Sequence, residues 1–347
     1  MENRLPVTVI VVSYNTRELT RKALASIYSS NILPAQVIVV DNNSEDDSIS
    51  KINEYCKGNL KIETQYVSYD TSNKPIEIFE FNERNLDEIK EIKIPELPLN
   101  QKLILLKLKE NYGFAGGNNF GIKLALKYLD AHYVLLLNND TVVDPDFLSE
   151  LVKVAESDVK IGFVGPKTYY YDNENLIQTT GGCRIDLNRA EPTHVDLEEY
   201  DHGQYDKELN IDYISGACLL CKREVIEEIG LMDEAHFMYW EETDWCFRGL
   251  KYGYKSAYSY KSRIWHKVGK SSQTPFKIYY HNRNRVYFMK KNANKYHMAI
   301  YMLYLFIIYF WFMTGVYLVY RMDKEKFMSF YRGIRDGLNL KPHIERI

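Results

Sequence analysis

The apolar run Tyr133-Val134-Leu135-Leu136-Leu137 ends in Asn138-Asn139-Asp140, a polar cluster with one carboxylate. Ligands of open α/β sheets bind beyond the carboxyl ends of the strands, and an oxygen-rich tip there can hold a hard cation and, through it, a diphosphate. Asp140 is therefore the candidate ligand for Mg2+ or Mn2+. One carboxylate is too few for an all-protein site, so a second ligand is needed, and His266 is the candidate. It precedes the cationic segment Lys267-Val268-Gly269-Lys270-Ser271-Ser272, which is suited to closing over a diphosphate. A lone histidine also reads as structural.

Asp41 ends a second apolar strand and can accept the imide N–H of a pyrimidine or a ribose hydroxyl, with Tyr14 at the end of the first strand to stack on the base. Asp41-Asn42-Asn43-Ser44 equally reads as a turn and helix cap. Gly113, Gly116 and Gly117 permit close backbone approach to a ligand and Asn118 can cap the helix that follows, but the spacing matches neither the Walker loop nor GxGxxG. In Glu241-Glu242-Thr243-Asp244-Trp245-Cys246-Phe247-Arg248, Asp244 and Arg248 stand four apart and pair, which leaves Glu241 and Glu242. Either can take the proton of an attacking hydroxyl, or the run can simply cap a solvated helix. Cys218-x-x-Cys221 lacks a second ligand pair for zinc, and its thiols read as small core residues.

The elements that must position these groups follow from hydrophobic period. Val7 to Val12 and Val37 to Val40 are β-branched runs of strands buried on both faces, and helical spacing follows each, at Leu19, Ala23 and Ile27 and at Ile49, Ile52 and Cys56. Ser13 to Thr16 reads as a turn and helix cap. Strand-helix-strand-helix at this pitch predicts a parallel sheet. From about Tyr69 to Asn100 the chain is acidic and irregular, which predicts an insertion: a lid, or a solvated excursion with no part in chemistry. Leu103 to Leu108 is a further strand, and helices are expected from about Phe120 to Leu129, from Asp144-Pro145, from Lys222 to Ile229 ending at Gly230, and over Glu241 to Leu250. After Gly162 the shorter, tyrosine-rich segments predict a mixed sheet facing an acceptor.

At 347 residues and 46% hydrophobic content the chain can bury a large domain plus an appendage, and a net charge of −3 argues against a nucleic-acid partner. Five scattered cysteines and a polar amino terminus predict a cytoplasmic protein without a disulfide framework. Met298 to Tyr320 holds 23 residues without a charge, between Lys290, Lys291 and Lys295 on one side and Arg321, Lys324 and Lys326 on the other. About 20 apolar residues suffice to span a bilayer. Basic flanks at both ends with many tyrosines fit an interfacial or hairpin-like helix as well as a span, and a helix buried against the main domain is the third reading.

Taken in order, Val9-Ile10-Val11-Val12-Ser13-Tyr14-Asn15, Val39-Val40-Asp41-Asn42-Asn43-Ser44, Asn111-Tyr112-Gly113-Phe114-Ala115-Gly116-Gly117-Asn118-Asn119, Leu136-Leu137-Asn138-Asn139-Asp140, Phe237 to Asp244, and His266 with Gly269 and Ser271 resemble a family 2 glycosyltransferase, and most of all its rhamnosyltransferase-type members in cell-surface polysaccharide synthesis. The resemblance covers roughly residues 6 to 290. It implies a GT-A fold: a mostly parallel Rossmann-like sheet flanked by helices, a smaller mixed acceptor-side sheet and a hydrophobic helical tail. It implies a glycosyltransferase domain over 1–290, with a nucleotide-binding half to 140 and an acceptor half to 290, and a membrane-associated tail over 291–347. Tyr14, Asn15, Asp41, Asn111, Gly113, Asn118 and Asn138 fall in nucleotide-sugar segments, with Asn138 where the family carries the first acid of its metal motif. Asp140 and His266 fall at the Mg2+ or Mn2+. Glu242 stands where the family's base, usually aspartate, is found, with Glu241 beside it. Arg283-Asn284-Arg285 resembles a helix start before the tail. The implied reaction is inverting, metal-dependent transfer of rhamnose or a hexose from a dTDP- or UDP-sugar to a saccharide acceptor, lipid-linked, at the cytoplasmic membrane face. Two alternatives are weighed. A membrane-tethered saccharide-binding scaffold with a decayed site is suggested by Asn138 and Glu242. A sugar-nucleotide pyrophosphorylase would need a glycine-rich basic loop after the first strand, which Ser13-Tyr14-Asn15 does not provide.

Overall fold

The computed structural model describes residues 4–62, 64–67, 71–86, 95, 97–193, 198–267 and 274–341. Its centre is one sheet of eleven strands. The strands Tyr133–Asn138, Arg4–Ser13, Leu33–Asp41, Lys102–Lys107 and Glu77–Asn82 run parallel in that spatial order. Their near-continuous valine, isoleucine and leucine content is explained by helices on both faces. Leu19–Tyr28, Ser48–Lys57 and Phe147–Glu156 cover one face, where Val9, Leu24, Ile27, Ile52, Leu135 and Leu151 share a core. Gly113–Tyr128, Arg223–Ile229 and Glu241–Lys251 cover the other, with Ile10, Ile122, Leu136, Val225 and Trp245.

The acceptor half extends the central sheet and adds two small two-stranded sheets, Ile185–Asp186 with Glu191–Pro192 and Gly182–Cys183 with Tyr213–Ile214. Cys218–Lys222 pairs antiparallel with Tyr133–Asn138 and continues the sheet outward through Ile161–Tyr170 and Asn173–Thr180, while Lys255–His266 lies parallel to Ile161–Tyr170 and antiparallel to Thr141–Val143. The presumed insertion also differs from expectation, because Glu77–Asn82 is an edge strand in register with Lys102–Lys107. Residues 68–70, 87–94 and 96 of that segment lie outside the described residues.

Several local expectations shift. The helix expected from Phe120 begins at Gly113, so the glycine-rich stretch is its first two turns. Its glycines meet protein: a Cβ on Gly117 would stand 3.0 Å from Val12 Cγ1, and one on Gly121 would stand 2.6 Å from Ile10 Cγ2. They bring the helix close onto the sheet. The helix expected from Asp144-Pro145 starts at Phe147, and Asp144 instead pairs with Arg263 at 2.9 Å. Likewise the helices expected after Ser13–Thr16 and Ser44 begin at Leu19 and Ser48. Gly230 does end its helix, at φ +80°. All five cysteines are buried, and no disulfide joins them among the described residues.

At the carboxyl end, Pro275–Asn292 is a single helix, so Arg283-Asn284-Arg285 lies in its middle rather than at its start. A continuous apolar helix runs from Lys295 to Tyr320, and Lys324–Asn339 folds back from it. Gly333 and Gly337 allow that return: a Cβ on either would fall within 2.5 Å of the Tyr279 or Arg283 carbonyl oxygen in the Pro275–Asn292 helix. The apolar helix keeps one face on protein, where Tyr309, Phe310 and Tyr317 pack on Phe330 and the Arg285 guanidinium lies 4.3 Å from the Tyr309 ring centre.

Candidate active site

Strand register collects the candidate residues at one edge. Ser13 is level with Asp41, and Val12 is level with Asn138, so the first three parallel strands end together. His266 terminates a long strand level with Thr141, and that pairing brings it to Asp140. The Asp140 carboxylate Oδ1 and His266 Nε2 are 3.1 Å apart, and the Lys267 amide donates to the Asp140 carbonyl at 2.8 Å. On the other side of the ring, His266 Nδ1 lies 3.0 Å from Gln178 Oε1, a contact that orients the imidazole and, when Nδ1 donates, leaves Nε2 available to a cation shared with Asp140. Among the described residues no group of three or more His, Cys, Asp or Glu side chains is arranged to hold a metal ion. One carboxylate oxygen and one imidazole nitrogen nonetheless fit a hard divalent cation whose remaining positions are filled by water and diphosphate oxygens. Residues 268–273 of the cationic segment lie outside the described residues.

At the nucleotide end, Asp41 is buried. Its Oδ2 accepts the Ser44 amide at 3.2 Å, while its Oδ1 is enclosed with no hydrogen-bond partner. Burial raises its pKa, more than the Ser44 hydrogen bonds and Lys107 lower it. An enclosed acceptor without a donor is costly. Tyr14 is 41% exposed beside it, on a tip held by Asn15, which has φ +52°, accepts the Glu45 amide at 2.9 Å and donates its own amide to Ser44 Oγ at 3.1 Å.

Asn111, Gly113 and Asn118 are occupied within the protein. Asn111 Oδ1 accepts from Asn42 Nδ2 and from the Gly113 amide, both at 2.9 Å, and Asn118 donates to the Phe114 carbonyl inside the helix rather than capping it. The residue that organises this corner is Asn42. It donates also to the Gly113 carbonyl at 2.9 Å and accepts the Tyr112 amide at 3.0 Å, tying the second strand to the helix start. Asn139 performs a similar task across the first strand, donating to the Val12 carbonyl at 2.9 Å. Sequence reasoning missed both, and the only available signal was their place immediately after a strand end.

Glu242 reaches the same edge by a different route. The Asn138 amide donates to the Ala217 carbonyl at 3.0 Å, and a Cβ on the adjoining Gly216 would stand 3.7 Å from Glu242 Cδ. The carboxyl group borders a cavity of about 160 Å3 walled by Tyr213, Tyr239, Trp240 and His281. Desolvation lifts the Glu242 pKa to about 7, against the lowering by its own and the Thr243 backbone amides. Glu241 is buried, its Oε2 is without a partner, and burial followed by repulsion from Glu242 raises its pKa well above the carboxylate range. The acids are therefore not a solvated capping run. Asp244 behaves in the opposite way: burial would raise its pKa, but Arg248 at 3.1 Å and Lys291 at 2.9 Å outweigh that and hold it far below the usual range.

The segment entering this helix is unusual. Phe237, Tyr239 and Trp240 all have positive φ, between +61° and +75°. Asn284 Nδ2 donates to the carbonyls of His236, Met238 and Tyr239, each at 2.8 Å, and the Phe114 amide donates to the Phe237 carbonyl at 2.7 Å. Residues outside the favoured region cost about 1–3 kcal/mol each and persist where the surroundings over-determine them.

The profile described as "Glycosyltransferase like family 2" matches residues 94–288, and that described as "Glycosyl transferase family 2" matches residues 8–84. The chain is 29% identical over 143 residues to the low-salt glycan biosynthesis hexosyltransferase Agl10 of Haloferax volcanii, covering 41% of this chain and 44% of that protein. It is 26% identical over 211 residues to the dTDP-rhamnosyl transferase RfbF of Shigella flexneri, covering 55% of this chain and 64% of that one. Both matches thus span less than two thirds of the relative's length. Among solved structures, the mannosyltransferase PcManGT of Pyrobaculum calidifontis, in complex with GDP-Man and Mn2+, superposes with a TM-score of 0.54 at 15% identity, over 96% of this chain and 87% of that one. At that identity the likeness establishes the fold.

Proposed function

The chain belongs to glycosyltransferase family 2, and from that premise we propose that it is an inverting, metal-dependent transferase moving rhamnose or a hexose from a dTDP- or UDP-sugar to a saccharide acceptor. The observation that carries this reading is the convergence at one sheet edge of the Asp140–His266 pair and the Glu242 carboxyl group, whose pKa is near neutrality. Similarity to a dTDP-rhamnosyl transferase supports the donor class, and the Mn2+ in the mannosyltransferase relative supports the metal.

In this reading Asp41 accepts the imide N–H of the base, which would satisfy its unpaired oxygen, and Tyr14 stacks on the ring. Asp140 and His266 would hold Mg2+ or Mn2+, with Asn138 beside them, and a cation there would supply neutralisation of charge on the departing diphosphate. Glu242 in its ionised form takes the proton of the acceptor hydroxyl as that oxygen attacks C1. The C1–oxygen bond to the diphosphate breaks on the opposite face, and the nucleoside diphosphate leaves with the electron pair. Burial and the neighbouring Glu242 both disfavour a charge on Glu241.

The tail is read as the membrane contact of a domain spanning 1–290. Leu303, Phe306, Ile307, Trp311 and Phe312 present an exposed apolar face, with Lys295 and Lys324 at its ends, which suits a lipid-linked acceptor at the cytoplasmic membrane face.

A melting-temperature panel of UDP, dTDP, GDP and CMP, each with and without Mn2+, tests the reading. Ligand at one hundred times its dissociation constant contributes about 2.7 kcal/mol, which such a panel resolves. A Mn2+-dependent rise with dTDP or UDP alone is expected. No rise with any nucleotide would overturn the proposal in favour of a saccharide-binding scaffold.

A further inference from the structure

A second, larger cavity of about 870 Å3 lies next to the one that contains Glu242. Ile185 lines both. So does each of two neighbouring chain segments, because consecutive side chains of an extended chain point to opposite sides: Asp212 faces the large cavity and Tyr213 the small one, while Thr193 faces the large cavity and Pro192 the small one. The partition is held in place by backbone pairing. Ile185–Asp186 pairs with Glu191–Pro192, Tyr213–Ile214 pairs with Gly182–Cys183, and the Ile185 amide donates to Asp212 Oδ2 at 2.9 Å.

The lining of the large cavity is that of a carbohydrate site. Asp186, Asn188, Asn210 and Asp212 offer hydrogen-bonding groups of both kinds in a lining that also includes the aromatic residues Tyr205 and Phe247. Its two carboxylates outnumber the single guanidinium of Arg184, so the lining disfavours a nucleotide or other polyanion and suits a neutral polyhydroxyl ligand. The volume falls within the roughly 300–1,000 Å3 of small-molecule sites, whereas the cavity at Glu242 holds far less. The position is also directional. His297, in the first turn of the apolar helix, lines the large cavity and has its Nδ1 3.0 Å from Asn188 Oδ1. The large cavity therefore stands between the apolar helix and Glu242.

We infer that this cavity is a second acceptor subsite, which binds the one or two neutral sugar units preceding the residue whose hydroxyl is glycosylated at Glu242. The inference rests on the transferase reading and deepens it: the enzyme selects an oligosaccharide acceptor over a single sugar, with the lipid-proximal units lodged beside His297 and Asn188 and the terminal unit on the Glu242 side of the partition.

The test uses the full chain with Mn2+ and UDP or dTDP, and reads saturation-transfer NMR of methyl glycosides of rhamnose, glucose and N-acetylglucosamine alongside maltose, maltotriose, cellobiose and chitobiose. At least one series is expected to bind about tenfold more tightly as a di- or trisaccharide than as its monosaccharide, with saturation on more than one ring. Asn210→Trp, an exposed position where a larger side chain fills the cavity, is expected to erase that gain, and Asn188→Ala to reduce it. Equal binding of mono- and oligosaccharides, a gain that survives Asn210→Trp, or no binding by any oligosaccharide would each overturn the subsite. The nucleotide-dependent melting rise is recorded on the same samples. If it persists while the saccharide result fails, the subsite alone falls; if it is missing from the unmodified chain, the transferase reading falls with it.

Discussion

The Asn284 side-chain amide donates to the Tyr239 carbonyl at 2.8 Å, joining the middle of the Pro275–Asn292 helix to a residue held at φ +71° just before the acids Glu241 and Glu242. A side chain outside the site thus fixes the direction from which the proposed base enters it. Replacing Asn284 with alanine removes the donor from three carbonyls at once. Transfer kcat should fall about 10- to 100-fold, in line with about 1–3 kcal/mol for an orphaned buried polar group, while the nucleotide-induced melting rise is kept. Asn284→Asp should be as damaging because it cannot donate, and Asn284→Gln should recover part of the rate. A parallel loss of nucleotide binding would indicate a merely structural role.

Glu242 links activity and stability to pH with opposite signs. As a base it acts ionised, so the transfer rate should rise with pH through about 7 and level off above it. Glu242→Gln should lower the plateau rate above pH 7 by about 10^2–10^4, with a smaller difference below it, and remove that rise. For stability, the folded carboxyl holds its proton more tightly than the unfolded one. Its stabilising contribution is complete below the unfolded carboxylate range and is lost as pH climbs through about 7. Glu242→Gln should therefore unfold at higher urea than the unmodified chain at pH 8, by up to about 3 kcal/mol on the scale of 1.36 kcal/mol per pKa unit, with little difference at pH 4.

The Asp140–His266 pair predicts a separable metal effect. Asp140→Asn and His266→Ala should each abolish the Mn2+-dependent part of the nucleotide-induced melting rise. Gln178→Ala leaves both ligands in place but frees the ring that Gln178 orients, and should weaken Mn2+ by about 10- to 100-fold in a calorimetric titration. An unchanged Mn2+ response in all three variants would remove the metal from this edge.

Ile307 and Trp311 are 66% and 65% exposed on the apolar helix. Ile307→Asp should reduce co-sedimentation with phosphatidylcholine–phosphatidylglycerol vesicles at least about tenfold, given the cost of placing a carboxylate at an apolar lipid face. The nucleotide-induced melting rise should be unaffected. Equal sedimentation of the two proteins would show that this face does not meet lipid.

Much of the scaffold was legible in local order along the chain. Val7 to Val12 and Tyr133 to Leu137 announce doubly buried strands, because an unbroken β-branched and leucine run has no solvated face to satisfy, and the polar groups that follow such runs must lie at a sheet edge. Asp41, Asn138 and Asp140 were found this way, as was the Gly230 helix end. The Asp244–Arg248 pair follows from helical geometry alone. What local order misjudged was wherever packing outweighs propensity. Gly113 to Asn119 is rich in poor helix formers and reads as a loop, yet it is helical, and Gly117 and the following Gly121 let the helix lie against Val12 and Ile10. Glu241 and Glu242 read equally well as a solvated cap, and only the surrounding fold withdraws them from water and lifts their pKa values. The amino-acid sequence by itself determined which residues stand at strand ends. The tertiary structure decided which of them meet, since Asp140 with His266, Glu242 with Gly216 and Asn284 with Tyr239 are joined by strand register and helix packing across long stretches of chain, and no local pattern encodes those distances.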